Sequence, residues 1–529
     1  MNTDVHTTEA PVPIKRIAAI DLGTNSFHAI IADLYSDGSF RSVDDLKEMV
    51  QLAKGGLGKR LAEPAFKRGM KALKNIKVLC DSYNVEEILA YATSAIREAE
   101  NGGEFIQRSI DELDIKINAI PGYVEAELIG YAVQHGIKLD RDPVLMVDIG
   151  GGSVEFILGN ATEFYTTLSR KIGVSRMTDI YKPSDPITTA DILDLENHYD
   201  KQTDSISEAI KEHPTDVIIG SSGTMQNIAT MIAARKGLPI DVTLNELEYS
   251  AEDFFEFYAD FIKLDRAKRR KVKGLDLKRL DFINTGVVLV NFLLKKFDIQ
   301  KVKISTQALR EGIIIRYLRK DMIGIPWKGD LADPRRRSVF ELLRKCNWHQ
   351  QHSTHVANMS LQLFDVLQDE LSLTDNDREL LEYASYMHDI GYHISHSAHH
   401  KHALYIIRNA ELKGFKEDEI EIMANVARYH RRSTPKKRHL EYWKLKASTR
   451  KRIKKLSGIL RVADGLDRSH YQNVQNLVIE NRADEIEFRI WVKSDPQLEI
   501  WGATRKANLL REVTGKKIKI TVEEIKPVR

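Results

Sequence analysis

Two aspartates, Asp21 and Asp148, stand 127 positions apart, each at the end of a short apolar run and just before a glycine turn that carries a hydroxyl. The segments are DLGTNS at 21–26 and DIGGGS at 148–153. Successive backbone N–H groups and hydroxyls in such turns can meet phosphate oxygens, and an Asp at the strand end can hold Mg²⁺ directly or through water. A third run with a turn, VIIGSSGT at 217–224, has a related form. A single glycine turn more often only reverses the chain. Three of them, two with Asp at the same place, point to a phosphate cradle. Histidine marks a second chemical neighbourhood: of 17, five precede residue 349 and twelve lie between His349 and His470.

These residues need elements to position them. The run IAAID from Ile17 is β-branched and apolar, as is VLMVD from Val144, so each reads as a buried strand entering its turn. MQNIATMIAARKG after the third turn has helical apolar spacing with a glycine at its end. Strand and helix patterns alternate to residue 320, which predicts an α/β architecture of two similar halves with a cleft between them. MIGIPWKGDLADPRRR then reads as a linker. Residues 335–470 carry helical spacing throughout, and LVIEN, EIEFRIWV and KIKITVEEI alternate as strands in a small terminal α+β portion. The expected divisions are 1–140, 141–320, 321–500 and 501–529.

Composition narrows the function classes. A chain of 529 residues, 42% hydrophobic and 29% charged, is long enough for several folded domains and unlike a disordered or fibrous protein. Lys and Arg (79) nearly balance Asp and Glu (76), so no global field draws the chain to nucleic acid or a membrane. Cys80 and Cys346 are too few and too differently placed for a disulfide framework or a paired-cysteine metal site. The N-terminus lacks an apolar signal core and no 18-residue uncharged apolar run occurs, so a cytoplasmic protein is expected.

The pairing of IDLGTNSFHAIIAD with VDIGGGSVEFILG, with YATSAIREAENG and IPGYVEAELIGYA between them, resembles the exopolyphosphatase/guanosine pentaphosphate phosphatase family. The likeness covers about residues 15–315 and implies two actin-like, ribonuclease H-like lobes. It also implies roles. Asp21 and Asp148 would hold or orient Mg²⁺; Thr24, Asn25, Ser26, Gly151, Gly152, Ser153 and Gly223 would cradle phosphates. Arg97 would clamp a terminal phosphate, since a guanidinium fork matches phosphate oxygens. Hydrolysis needs a carboxylate to take a proton from water, and Glu125 is the candidate. The family usually carries two adjacent Glu at this point; here Val124 occupies the first, and Glu127 reads as a solvated helix residue.

His352, His388, Asp389 and Asp464, in HSTHV, YMHDIG and RVADGLD, have the order seen in the HD phosphohydrolase superfamily, which this region resembles over about 335–470. That likeness implies an all-α HD-like domain with a divalent transition metal; mixed N/O ligation suits Mn²⁺, Fe²⁺, Zn²⁺ or Mg²⁺ without choosing among them. His396, His399, His400, His402 and His430 could add ligands. The alternative is a helical domain that closes a polyphosphate channel.

The resemblance implies metal-assisted release of terminal phosphate from inorganic polyphosphate or from guanosine pentaphosphate, with a homodimer and neither nucleic acid nor membrane as partner. Basic runs at 266–274, 334–337, around 430–438, at 448–455 and at 515–517 could guide a long polyanion. A kinase or chaperone-like ATPase shares the phosphate turns, but no nucleoside or acceptor motif is evident. A non-catalytic polyphosphate or alarmone sensor would not need Glu125 beside both aspartates.

Overall fold

Apolar side chains alternating along short strands build two sheets of the same plan. The first holds β1 (Lys15–Leu22), β2 (Ser26–Leu34), β3 (Phe40–Met49), β4 (Glu87–Ala92) and β5 (Ile117–Ala119), in the order β3-β2-β1-β4-β5. The second holds β6 (Val144–Ile149), β7 (Val154–Gly159), β8 (Phe164–Arg170), β9 (Val217–Ser221), β10 (Glu248–Ser250) and β11 (Lys301–Ile304), in the order β10-β11-β9-β6-β7-β8. In each sheet the first three strands pair antiparallel and the next two run parallel to the first. Among the described strands of the two sheets, only the edge strand β10 has no counterpart.

The computed structural model describes residues 13–36, 38–52, 60–238, 244–320, 333–346 and 348–523; residues 1–12 and the expected linker through residue 332 lie outside them. Two compact units result, one ending at Pro334 and one starting at Arg335.

The period-2 pattern of each strand serves two cores. On β1, Ala18, Ile20 and Leu22 join Phe66, Leu73 and Phe105 from the helices Glu63–Ser82 and Gly102–Leu113. Ile17 and Ala19 face the other way, toward Leu128 and Val133 of the helix Gly122–Gly136 and Ile313 and Ile314 of the helix Leu309–Lys320. The second sheet repeats this. Leu145, Val147 and Ile149 of β6 pack on Ile228 and Val287 from the helices Ser222–Arg235 and Ile283–Lys296, while Met146 joins the core that holds Leu128 and Ile313. The helices Gly122–Gly136 and Leu309–Lys320 thus share one core with inner faces of both sheets. The helix Leu309–Lys320, which follows the last strand of the second sheet, packs against β1 of the first. The first unit is the expected pair of actin-like lobes.

The second unit is helical from Pro334–Lys345 to Ala447–Leu466, as the periodicity predicts. Thr374 caps the helix Asp375–Met387 with a reciprocal Thr374–Asp377 box. The sheet β12 (Val474–Asn481), β13 (Glu485–Val492) and β14 (Lys517–Glu523) encloses the helices Gln497–Lys506 and Asn508–Thr514 in sequence. One core runs from Val339 through Leu363, Met387 and Leu460 to Phe488 and Leu510, so helices and sheet form one body. The sheet begins at Val474, upstream of the expected division near 500. No described helix is long and apolar enough to cross a membrane.

Candidate active site of the first unit and a histidine cluster in the second

The two Asp-glycine segments become equivalent hairpin turns. Gly23 N donates to Ser26 O at 3.2 Å between β1 and β2, and Gly150 N donates to Ser153 O at 3.1 Å between β6 and β7. The turns meet across the cleft. Thr24 Oγ1 lies 3.1 Å from Ser94 Oγ, and Asn25 Nδ2 donates to Ser175 Oγ at 3.1 Å. A Cβ on Gly152 would stand 2.2 Å from Ser94 Oγ and 2.9 Å from Thr24 Oγ1, so this approach requires glycine. Arg176 braces the second turn: Nε donates to Gly152 O at 2.7 Å, while Nη2 donates to both Glu98 oxygens at 3.1 and 3.0 Å. In the third turn Ser222 has φ of 78°, a left-handed backbone that a non-glycine residue holds only under constraint, and its buried Oγ has no partner among the described residues.

Four carboxyls converge behind these turns. Asp21 and Asp148 close β1 and β6. Glu125 lies in the first turn of the helix Gly122–Gly136, where Oε2 accepts from Arg97 Nη1 at 3.0 Å; the same Nη1 donates to Ile120 O at 2.7 Å. Glu155 sits opposite Asp148 in the β6–β7 register and accepts from Ser169 Oγ at 2.8 Å. Burial pushes Asp21 up to about 7, with Arg310 opposing and Asp148 adding repulsion. Burial also pushes Glu125 up to about 7 against the pull of Arg97, with repulsion from Asp21 and Asp148. Asp148 rises to about 6 through burial, eased by a hydrogen bond from Ser221. Glu155 is raised by burial and by Glu125 and Asp148. Asp21 Oδ1 is buried and has no hydrogen-bond partner among the described residues. A buried carboxylate oxygen without a partner, with a second buried carboxyl repelling it, favours a cation between them, so Asp21 and Asp148 fit a divalent ion.

A cationic set borders the carboxyls. Asp21, His28 and Lys47 form one row across β1, β2 and β3. Arg279 covers Gly223, where a Cβ would fall 1.9 Å from its Nη2, and its Nη1 reaches Thr224 Oγ1 at 3.5 Å. Burial first, then Arg279 and Arg310, lower Lys47. Burial, Lys47, Arg310 and Arg279 push His28 down to about 3, so its ring stays neutral; its buried Nε2 is unpartnered among the described residues. Lys47, repelled by Arg279 and Arg310 and set beside four carboxyls, suits a ligand that is itself anionic and cation-bound.

The second unit gathers the other candidates. His352 Nε2 lies 3.3 Å from His388 Nε2 and 3.8 Å from both Asp389 Oδ2 and Asp464 Oδ1. His388 Nε2 is 3.5 Å from Asp389 Oδ2 and 3.9 Å from Asp464 Oδ1. Of the further histidines, His399 and His430 join, with Nε2 at 3.2 and 3.5 Å from Asp389 Oδ1. His396 is exposed and His402 half-buried; His400 is buried, with an unpartnered Nδ1.

Residues 31–321 match the family model described as the Ppx/GppA phosphatase family, and residues 335–500 match its domain III. The chain belongs to the Ppx/GppA phosphatase family. Among solved structures, an exopolyphosphatase from Cytophaga hutchinsonii is 31% identical, matching 58% of this chain and 98% of its own with a TM-score of 0.55. The Aquifex aeolicus member of the Ppx/GppA family is 26% identical, matching 59% and 99% with a TM-score of 0.51.

Membership makes the chain a phosphatase, and the cleft adds residues that sequence reasoning missed. Lys47, Arg279 and Arg310 carry no spacing signal, because three separate segments deliver them. Glu155 did carry one: it is the single charge in the otherwise buried strand VEFILG. Arg97, expected on phosphate, is engaged with Glu125. Glu127 accepts from Tyr131 Oη at 2.7 Å, away from this set.

The basic runs lose much of their case as a polyanion track. Arg269 is buried against Asp185 at 2.8 Å, and Arg266 pairs with Asp281. Arg335 pairs with Glu379 and Glu419, Arg336 with Glu382, Arg452 with Asp377, and Lys516 with Glu370. These charges pin elements together.

Proposed function

We propose that the first unit is an exopolyphosphatase that removes the terminal phosphate of inorganic polyphosphate. The observation that carries this reading is Glu125, held by Arg97 within electrostatic reach of Asp21 and Asp148 and poised at about 7. A base titrating near the working pH combines a useful ionised fraction with enough proton affinity. Water attacks the terminal phosphorus, the bond to the bridging oxygen breaks, Glu125 takes the water proton, and inorganic phosphate and a shortened chain leave. Mg²⁺ held by Asp21 and Asp148 would neutralise charge on the phosphoryl oxygens.

The other residues bind and orient. Backbone N–H groups of Gly151, Gly152 and Gly223 and the side chains of Thr24, Asn25, Ser26 and Ser153 would line the phosphate oxygens, with Lys47, Arg279 and Arg310 supplying charge further along. Arg97 fixes the carboxylate it touches and would share its fork with the terminal phosphate. The Cytophaga relative, described as an exopolyphosphatase, supports the choice of substrate. The test is phosphate release with Mg²⁺ from long-chain polyphosphate and guanosine pentaphosphate in parallel. Faster release from polyphosphate supports the assignment. Preference for the nucleotide transfers it to guanosine pentaphosphate 5′-phosphatase, and release from neither overturns it.

A further inference from the structure

Three successive carbonyls of the second glycine turn are held by one helix of the first unit. Val174 N donates to Gly150 O at 3.0 Å, and Ser175 N and Arg176 N both donate to Gly151 O at 3.0 Å. These are the first N–H groups of the helix Val174–Tyr181, which helical geometry leaves without partners inside the helix. Gly152 O is taken by the Arg176 side chain instead, with Nε donating at 2.7 Å. A Cβ on Gly173 would stand 2.5 Å from Gly151 O and from the carbonyl carbons of Gly151 and Gly152, so the helix start comes this close only behind a glycine.

A trans peptide points its C=O and the next N–H in opposite directions. With the carbonyls of Gly150, Gly151 and Gly152 held toward the helix, the N–H groups of Gly151, Gly152 and Ser153 turn away from it, and none of the three donates to a described residue. Successive N–H groups on one side form an anion cradle. Backbone hydrogen bonds aim the first two. The third, Ser153 N–H, is aimed by one side chain. The first turn has no such dependence: Leu52 N holds Thr24 O, and Val50 N and Gln51 N hold Asn25 O.

Arg176 is itself fixed by Glu98, which follows β4 of the first sheet. Its Nη2 donates to both Glu98 oxygens at 3.1 and 3.0 Å, and the side chains are only 10% and 11% exposed, so water and salt screen the pair little. Lys171 also reaches Glu98, but from an exposed position. A guanidinium can span a carbonyl with Nε and a carboxylate with Nη2, whereas an ammonium has a single nitrogen. Glu98 ends the helix Ser94–Arg97, whose Ser94 meets Thr24 and whose Arg97 holds Glu125. We propose that Arg176, held by Glu98, is a positioning residue that aims Ser153 N–H at the terminal phosphoryl group and fixes the second turn relative to the helix that carries Arg97. This inference rests on the phosphate-releasing role proposed for the cleft.

The full chain is assayed for phosphate release with Mg²⁺ from long-chain polyphosphate and from guanosine pentaphosphate. Arg176→Gln should lower kcat about 10²-fold or more, the scale of a lost oxyanion donor, with KM changed less than about threefold. Arg176→Lys keeps the charge without the fork and should fall nearly as far. Glu98→Gln keeps an acceptor but loses the ion pair and should cost about tenfold; added to Arg176→Gln it should cost nothing more, because it acts through Arg176. The acid limb of kcat/KM should stay in place throughout, since Arg97, Asp21 and Asp148 are the charges that set Glu125. Wild-type turnover in Arg176→Lys, additive losses in the double variant or a displaced acid limb overturns the proposal. A variant that unfolds earlier in calorimetry yet turns over at the wild-type rate marks a plain structural brace and overturns it too. If the Arg176 variants do not fold, Glu98→Gln decides alone, and an unchanged kcat there refutes the role. A wild type that hydrolyses neither substrate refutes the reading of the cleft instead. Isothermal titration with inorganic phosphate and Mg²⁺ then decides the positioning role: affinity about tenfold weaker in Arg176→Gln supports it, and undiminished affinity overturns it.

Discussion

Replacing Glu125 with Gln should give a nearly inactive enzyme that is more stable than its parent at alkaline pH. Glutamine keeps the shape and can still accept from Arg97, so the variant mimics the neutral side chain. The ionised wild-type group is the costly one: raising its pKa from 4.5 to about 7 corresponds to about 3 kcal/mol at 1.36 kcal/mol per unit. The folded pKa lies above the unfolded value. Stability from this group is therefore fully present below about pH 4.5 and lost as pH climbs through about 7. In chelator, Glu125→Gln should match the wild type in thermal unfolding at pH 5 and exceed it by a few degrees at pH 8.5. With Mg²⁺ and polyphosphate, turnover should fall by about 10²–10⁴-fold with KM nearly unchanged. Differential scanning calorimetry and a phosphate-release assay read the two effects. Turnover within a few-fold of wild type refutes the role of base, and a variant less stable at pH 8.5 refutes the electrostatic argument.

Other perturbations separate binding from chemistry. Arg279→Ala removes a half-buried guanidinium above Gly223 and should raise KM for polyphosphate about tenfold or more, with a weaker salt dependence and a smaller change in kcat; an unchanged KM removes Arg279 from the anion site. Glu155→Gln deletes a negative neighbour of Glu125 while keeping atoms that Ser169 can bond. The acid limb of kcat/KM, which rises with pH as Glu125 ionises, should move to lower pH in that variant, and a limb that stays in place shows that the two carboxyls do not interact.

The fold was legible where period and punctuation coincide. Ile17 to Asp21 and Val144 to Asp148 announced buried strands, and the glycines after them announced turns, because only glycine tolerates the 2.2 Å approach at Gly152. The proposed base, Glu125, was a candidate only through likeness: a Glu in the first turn of a helix is ordinarily a dipole partner. Burial and the Arg97 contact distinguish Glu125, and neither appears in local sequence. Lys47, Arg279 and Arg310 were illegible because β3, the single 3₁₀ turn Leu277–Arg279 and the start of a late helix bring them together. The basic runs misled for the converse reason, since charge counting cannot see that Arg269 already faces Asp185 or Arg335 faces Glu419. His399 and His430 were candidates among several histidines, and their approach to Asp389 Oδ1 singles them out.

The duplicated hairpin gives a physical reason for coupling between cation and substrate in the cleft. One buried Asp at a strand end is a modest desolvation cost. Two matching sheets facing each other bring Asp21 and Asp148 close enough that Asp148 raises Asp21 further, and both raise Glu125. Any cation between the aspartates stabilises their ionised forms and, by the same interaction, makes Glu125 easier to ionise. In the proposed mechanism the base is thus most strongly held back when the cleft is empty of cation, and becomes available as magnesium arrives with the polyanion. Linkage makes this reciprocal: protons and Mg²⁺ compete for the same carboxyls, so Mg²⁺ affinity must weaken as pH falls below about 7. In that mechanism Lys47, Arg279 and Arg310 would keep the arriving phosphates beside the carboxyls instead of repelled by them, which would let a cleft this acidic act on a substrate more acidic still.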